Sequence, residues 1–227
     1  MNQLPRFKRR QFNLTLLGGL LLNSAALLTH STARAQSVLR IGIIGSGQIG
    51  GAIGKRWAAA GHQILFSSRN PDELGPLVAA AGPNSRAGTV AEAAAFGDVV
   101  LLAVPYGAMP QVGNDYASLM QGKVVIDCGN PRADRDGPMA DAAITKGTGM
   151  ASAEYFPGTR LVRAFNAVSY LMVENDAHRE GELIGIPVAG DDANALAVTE
   201  QLVVDAGFDP VLVGSLASGR RFDRGTP

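Results

Sequence analysis

From Val38 onward the chain alternates short β-branched runs with stretches of helical period. Val38 to Ile44 reads as a strand ending in glycines, Gln48 to Ala60 as a helix closed by Gly61, and Gln63 to Ser67 as a second strand. Strand, glycine turn, helix and strand make one βαβ unit, which requires a parallel sheet with helices on its faces. The pattern continues with a short strand near Ala87 and Gly88, a helix from Val90 to Ala95, and a strand from Asp98 to Val104 that Pro105 stops. A helix from Ala108 to Met120, a strand from Lys123 to Asp127, a polar turn from Asn130 to Gly137 and a helix from Pro138 to Lys146 follow. Further strands are expected at Arg160 to Ala164, Leu183 to Ala189 and Pro210 to Val213. A helix from Asp192 to Asp205 is opened by the carboxylates of Asp191-Asp192, which suit orphan amides and the helix dipole. The tail Arg220 to Pro227 is polar and lacks a closing element, so it is expected to be loose, or the chain to be short of a natural terminus. The pattern contains no internal repeat and no long linker, and it does not reveal sheet order.

The first 35 residues follow a different plan. Basic residues at Arg6 to Arg10 lead into an apolar stretch from Phe12 to Leu28, and the small-residue sequence Ala33-Arg34-Ala35 follows before Gln36. This is the three-part plan of a secretory signal peptide. Asn13, Thr15, Gly18, Gly19 and Asn23 interrupt the apolar core, which favours cleavage over an uncleaved membrane anchor. Lys8-Arg9-Arg10-Gln11-Phe12-Asn13-Leu14 resembles the twin-arginine export signal, with a general secretory signal as the alternative. The expected location is periplasmic or secreted.

Composition narrows the partners. The formal net charge is zero, but residues 1–35 carry five basic residues and no acidic one, so the remainder holds 15 basic against 20 acidic residues. That balance opposes non-specific binding to nucleic acid or to anionic lipid, and the 6% aromatic content does not suggest a stacking groove. Small-molecule partners are expected, with no nucleic acid and no membrane once the signal is removed. Cys128 stands alone, so no intramolecular disulfide forms. His62, His178 and Cys128 show no ligand spacing, so no metal is expected.

Gly45-Ser46-Gly47-Gln48-Ile49-Gly50 matches G-x-G-x-x-G in the context its mechanism requires, after a strand and opening a helix. Gly45 permits the tight turn, Gly47 lets backbone approach a pyrophosphate, and Gly50 lets the helix pack on the sheet, a face that Gly54 extends. The helix N-terminus offers free amides and the positive end of a dipole to phosphate. The expected fold is therefore α/β, a Rossmann-type doubly wound, mainly parallel sheet, in a single domain over residues 36–227. Cofactor choice falls to the end of the second strand, where a carboxylate would bind ribose hydroxyls and a cation a 2′-phosphate. Ser67-Ser68-Arg69-Asn70 stands there, with no carboxylate until Asp72, and the planar donor fork of Arg69 suits phosphate. NADP is favoured over NAD.

Several segments in order resemble the coenzyme F-420-dependent NADP oxidoreductases, whose partner is an 8-hydroxy-5-deazaflavin. They are Ile44 to Gly50, Ser68-Arg69-Asn70, Leu102-Ala103-Val104-Pro105-Tyr106, Val125 to Pro131, Arg163-Ala164-Phe165-Asn166 and Gly190-Asp191-Asp192. The resemblance implies NADP phosphates at Ser46 to Ile49, the 2′-phosphate at Ser68 and Arg69, and the nicotinamide near Val104, Pro105, Asn130 and Ala167. Archaeal members add a lysine shortly after the arginine, where this chain has Pro71-Asp72-Glu73. The same domain is similar to the amino-terminal part of pyrroline-carboxylate reductases and to the cytosolic domain of membrane ferric reductases, so fold alone does not name the substrate. Relatives commonly pair, which makes a homodimer the alternative to a monomer.

Hydride transfer between a nicotinamide and a deazaflavin needs aligned ring faces and little acid or base from the protein, so no catalytic side chain is assigned. Ketone or imine reduction would need a positioned donor. His62 is expected to be structural and His178 solvated. Tyr106 is either a carbonyl donor or a packing ring. Asp127 is expected to bond nearby backbone and Cys128 to be small and buried. The leading expectation is hydride transfer between NADP(H) and a deazaflavin. An NADPH-dependent reductase of a flavin, ferric chelate or imine is the alternative enzyme, and a nucleotide-binding sensor without turnover is the alternative outside enzymes.

Overall fold

A computed structural model describes residues 37–226, and the expected signal peptide lies outside them. In chain order the elements are β1 (Arg40–Ile44), α1 (Gln48–Ala59), β2 (Gln63–Ser67), α2 (Gly75–Ala81), β3 (Ser85–Gly88), α3 (Val90–Phe96), β4 (Val99–Leu102), α4 (Met109–Tyr116) and β5 (Val124–Asp127). Then come α5 (Ala133–Asp136), α6 (Pro138–Lys146), α7 (Thr148–Tyr155), β6 (Arg160–Arg163), α8 (Tyr170–Asn175), β7 (Gly185–Gly190), α9 (Ala193–Asp205) and β8 (Asp209–Gly214). The strands form one sheet in the order β3-β2-β1-β4-β5-β6-β7-β8. Pairing is parallel from β3 through β6, antiparallel between β6 and β7, and parallel again between β7 and β8. The doubly wound, mainly parallel α/β expectation is borne out.

β4 is apolar at every position and β1 and β5 are apolar apart from Arg40 and Asp127 at their ends, because helices cover both faces. In β4, Val99 and Leu101 enter one core while Val100 and Leu102 enter the other, and β5 divides Val124 and Ile126 from Val125 in the same way. The first core takes Trp57 from α1 and Leu202 and Val203 from α9. The Trp57 indole donates to the Leu202 carbonyl at 2.7 Å, tying those two helices together. The second core takes Ala93 from α3, Met109 from α4 and Ala151 from α7.

The chain leaves β1 toward β2 and β3, then crosses back to place β4 on the other side of β1. At that reversal the connections part, and a crevice opens outside the carboxyl ends of β1 and β4.

Several elements differ from the sequence pattern. The strand at β4 ends at Leu102, which frees Ala103 to Pro105 to turn out over the crevice. The helix expected from Ala108 to Met120 is α4 flanked by two 3-10 turns, with Pro110 in its first turn. α5 lies inside the expected polar turn, and α2, α7 and α8 are short helices that the pattern does not announce. The tail is not loose. Leu216–Phe222 forms a 3-10 turn with Leu216 and Gly219 buried, and Asp223 is buried beyond it. The reason is Arg163, a fully buried cation that draws Asp223 inward as a counter-charge.

Candidate functional site

The loop from β1 into α1 is built by contact. Gly45 sits at φ +97, and a Cβ there would lie 2.7 Å from the Ala103 backbone. A Cβ at Gly50 would stand 2.2 Å from the Gly45 carbonyl oxygen, so α1 approaches β1 as closely as backbone allows. Gly54 repeats the approach one turn on, 2.3 Å from the Phe66 ring. Gly47 differs, since nothing lies within 4 Å of its Cβ direction. That position faces open space and leaves a backbone-lined hollow for a ligand.

Side chains close the starts of α3, where Thr89 and Glu92 form a capping box, of α8, where Ser169 accepts from the Met172 amide, and of α9, where Asp192 accepts from the Ala195 amide at 2.7 Å, whereas α2 and α4 to α7 have no such cap. α1 starts at Gly47 without a side-chain cap, so the amides of Gln48, Ile49 and Gly50 face outward without an intrahelical acceptor. The Ser46 amide is used on the Ser67 carbonyl at 3.1 Å, while the Ser46 hydroxyl is buried without a partner. Free amides, a positive dipole end, an orphaned hydroxyl and a hollow at Gly47 fit a diphosphate.

At the end of β2 the Ser67 hydroxyl donates to the Ile43 carbonyl at 2.7 Å, which holds the strand ends together. Ser68 accepts from the Asn70 amide at 3.0 Å, and Asn70 donates to Glu73 at 3.2 Å. Arg69 is exposed and makes no ion pair within 4 Å among the described residues. Its fork is free to take a phosphate beside the Ser68 hydroxyl.

Beyond the loop lies a cavity of about 520 Å³, lined by Gln48 and Ile49 of α1, Val104 and Pro105 after β4, Cys128 and Asn130 after β5, and Phe165 and Asn166 after β6. A second cavity of about 560 Å³ adjoins it, sharing Asn130, Asn166 and Arg224 and adding Ala167 and the segment Arg221 to Asp223. Of the positions expected around a nicotinamide, Val104, Pro105 and Asn130 therefore share one cavity, and Ala167 faces the adjoining one.

The wall between the cavities is held by a polar network. The Asn130 amide donates to the Asn166 carbonyl at 2.7 Å, and the Asn166 amide donates to the Phe222 carbonyl at 2.9 Å. Phe165 takes φ +62, a strained turn for a side chain of that size, with its ring edge-on to Trp57 at 5.8 Å. Beneath them Arg163 reaches Asp127 at 3.1 Å, the Gly129 carbonyl at 2.6 Å and Asp223 at 2.8 Å. Asp127 also accepts from the Gly129 amide at 2.7 Å, the local backbone bond expected of it. Asp136 of α5 accepts from the amides of Gly107 and Arg132, so it ties the loop after β4 to the loop after β5. Arg135 beside it, with those amides, holds its carboxyl down to about 2.

Side chains weighed for chemistry resolve as follows. Tyr106 is a packing ring, fully buried, its hydroxyl shared with Ser152 at 3.1 Å, and burial raises its phenol. Cys128 is buried and its thiol donates to the Leu102 carbonyl; burial, aided by the Asp127 charge, pushes it up to about 12. His62 is structural, buried 2.9 Å from Asp205, and His178 is exposed. Among the described residues no group of His, Cys, Asp or Glu is placed to hold a metal.

A βα glycine loop that opens α1 and a cation after β2 that is without an ion pair among the described residues together outline the candidate site. Residues 40–131 match the family NADP oxidoreductase coenzyme F420-dependent. The family resemblance carried by the motifs is borne out over that segment. The chain is also 25% identical over 191 residues to the metalloreductase STEAP3 of Rattus norvegicus, spanning 36% of that relative's length. Among solved structures it is similar to a hypothetical protein of Sinorhizobium meliloti, with TM-score 0.72 and 27% identity, covering 84% of this chain and 92% of that one. A protein of Arthrobacter sp. FB24 assigned as an F420 dependent NADP-reductase shares the fold, with TM-score 0.69 and 22% identity over 80% of this chain and 87% of that one. A reductive aminase of Aspergillus terreus, solved with NADPH, shares it at TM-score 0.59 and 17% identity, over 81% of this chain and 57% of that one.

Motif reading missed Arg132, Arg135 and Arg224, which also line the cavities, and it assigned no role to Phe165 and Asn166. The charges of Arg132 and Arg135 directly after Asn130-Pro131 were the signal for the first two. Arg224 comes from a distant segment that only folding brings close.

Proposed function

We propose that this protein is an NADP(H)-dependent oxidoreductase that passes a hydride between the nucleotide and a second redox partner, of the deazaflavin type, seated in the cavity beyond the glycine loop. The observation that carries the reading is the glycine-built start of α1, closed at Gly45 and Gly50 and open at Gly47, set at the strand-order reversal with Arg69, which makes no ion pair among the described residues, at the end of the neighbouring strand. The family matched over residues 40–131 supports it. When bound, NADPH supplies two electrons as a hydride from its nicotinamide, leaving NADP+.

The chain's own residues bind and orient. Amides of Gln48, Ile49 and Gly50, with the Ser46 hydroxyl, hold the diphosphate; Ser68 and Arg69 hold the 2′-phosphate. Val104 and Pro105 give the ring an apolar ledge, and Asn130 gives it a polar neighbour. The residues lining the cavities include no His, Lys or Glu; Tyr170 is the phenol among them, and Asp223 the carboxylate, already paired with Arg163. That wall suits ring-to-ring hydride transfer, which asks the protein for alignment rather than for a proton.

A second reading keeps the nucleotide and changes the acceptor to a flavin or ferric chelate, and the likeness to a metalloreductase favours it. Export by the signal in residues 1–35 is part of the proposal, with folding and nucleotide loading before transport. A fusion of residues 1–36 to a reporter that stays in the cytoplasm would remove that part.

The test is nucleotide titration followed by turnover. NADPH should bind at least about tenfold more tightly than NADH, and Arg69→Ala should erase the difference without weakening NADH, since charge-assisted bonds to phosphate are lost. NADPH oxidation is then followed with 8-hydroxy-5-deazaflavin, a flavin, ferric citrate and a cyclic imine. Tight NADPH binding without turnover on any of them would leave a sensor module and sink the enzyme reading.

A further inference from the structure

We infer that the second redox partner carries an anionic group, and that Arg224, together with Arg132, receives it at the junction of the two cavities. This rests on the reading that NADP(H) occupies the glycine loop.

Arg132, Arg135, Arg221 and Arg224 line the two cavities, and Asp223 is the sole carboxylate among the lining residues. Asp223 is already committed, accepting from Arg163 at 2.8 Å and from the Thr148 amide at 2.9 Å. Arg135 is committed as well, donating to both oxygens of Asp136 and to the Asn130 carbonyl. Arg132 donates from Nε and Nη2 to Asp134, with the Arg132 side chain half-buried and Asp134 largely in water. An incoming anion therefore competes with Asp134 for Arg132, which makes Arg224 the principal receiver. Among the described residues Arg224 makes no ion pair within 4 Å, and it is the one cation besides the α5 region that reaches the first cavity. It also lines the second, so it stands where they meet.

Arg224 is carried on a built turn. The Asp223 carbonyl accepts from the Thr226 amide at 3.1 Å and the Thr226 hydroxyl at 2.7 Å, closing the turn around it. Asp223 and the Phe222 carbonyl anchor that turn to Arg163 and Asn166. Fixing a cation at a cleft costs conformational freedom and returns nothing to the fold, whereas a planar fork there matches carboxylate or phosphate.

Topology separates this charge from the nucleotide's phosphates. Arg69 follows β2 and the glycine loop follows β1, while Arg132 follows β5 and Arg224 docks beside the end of β6. In the sheet order β2-β1-β4-β5-β6 the cations lie on the far side of the crevice from the 2′-phosphate site. The partner entering from that side meets Arg224, Arg221 and Arg132, with Asp134 the exposed carboxylate near them.

FMN and riboflavin test this, since they share one ring system and differ by a phosphate. Each is titrated by flavin fluorescence into the protein saturated with NADP+, and in parallel without nucleotide. FMN should bind about tenfold or more tightly than riboflavin, a ratio that shrinks with added salt. Arg224→Ala, and more fully Arg132→Ala with Arg224→Ala, should bring FMN down to the riboflavin value while the NADP+ affinity moves less than about twofold. Equal binding of the two flavins, failure of both to bind, or a variant that weakens NADP+ instead of FMN would each overturn the inference. Failure of NADP+ alone to bind would overturn the nucleotide reading, and the titration without nucleotide would still read the flavin ratio.

Discussion

The same glycine-to-alanine change, made at Gly47 and at Gly50, should produce opposite defects. At Gly50 the new Cβ would stand 2.2 Å from the Gly45 carbonyl oxygen and 3.2 Å from Ile43 Cγ2, so backbone must separate by about an ångström. Overpacking of this kind costs about 1–3 kcal/mol, and a clash with a carbonyl rather than a flexible side chain belongs at the upper end. Alanine returns at most about 1 kcal/mol of helix propensity. The net loss of about 2 kcal/mol corresponds to a melting temperature lower by roughly 4–8 °C in a domain of this size. At Gly47 the backbone has φ −76 and ψ −156, open to alanine, and nothing lies within 4 Å of the added carbon. Only the poorer cap is lost, at most about 1 kcal/mol. The carbon does fill the hollow where phosphate must approach, and losing one or two charge-assisted bonds weakens NADPH by about tenfold or more. Thermal melting and NADPH fluorescence titration on both variants decide it. A Gly47→Ala protein that binds NADPH within about twofold of the parent, or that melts as low as Gly50→Ala, would refute the reasoning.

Arg163→Met leaves Asp127 and Asp223 buried without their cation and should cost about 3–5 kcal/mol, read as a urea midpoint lower by roughly 2 M; a loss under about 1 kcal/mol would show that the buried cluster does not hold the tail. The Cys128 thiol, pushed up to about 12 by burial, should carry about a thousandfold less thiolate at pH 8 than a free thiol, and should react with Ellman's reagent only on unfolding. Because the folded state raises this group, its contribution is intact below pH 9 and is lost as pH climbs toward about 12, a slope that Cys128→Ala should flatten. Asp136 has the reverse sign: held at about 2, it stabilises above the ordinary carboxylate range and loses that contribution as pH falls toward about 2. Urea unfolding at pH 7, 4 and 3 should show Asp136→Asn less acid-sensitive than the parent.

Local rules determined the nucleotide half of the site. A strand, a turn of glycines and a helix in immediate succession leave little freedom, so Gly45 to Gly50 and Ser68 to Asn70 stand where their spacing put them. The central strands were legible as well, because strands covered on both faces are mainly apolar runs, as in Val99 to Leu102 and Val124 to Ile126, and announce themselves without a partner. Short elements such as α2, α7 and α8 were not legible, since a helix of six to eight residues carries too few turns to show a face.

Tertiary structure decided the far wall. Sheet order depends on which strands meet through long crossovers, and no local pattern encodes that choice. The tail illustrates the same limit: Arg220 to Thr226 is polar, and polarity alone reads as solvent-exposed. Only when β5 and β6 pair does Arg163 become buried beside Asp127, and a buried cation of that kind recruits a second carboxylate from Asp223, 60 residues away. That long-range electrostatic demand carries Arg224 to the crevice. The glycine loop thus belongs to the sequence read locally, and the charged junction opposite it belongs to the fold.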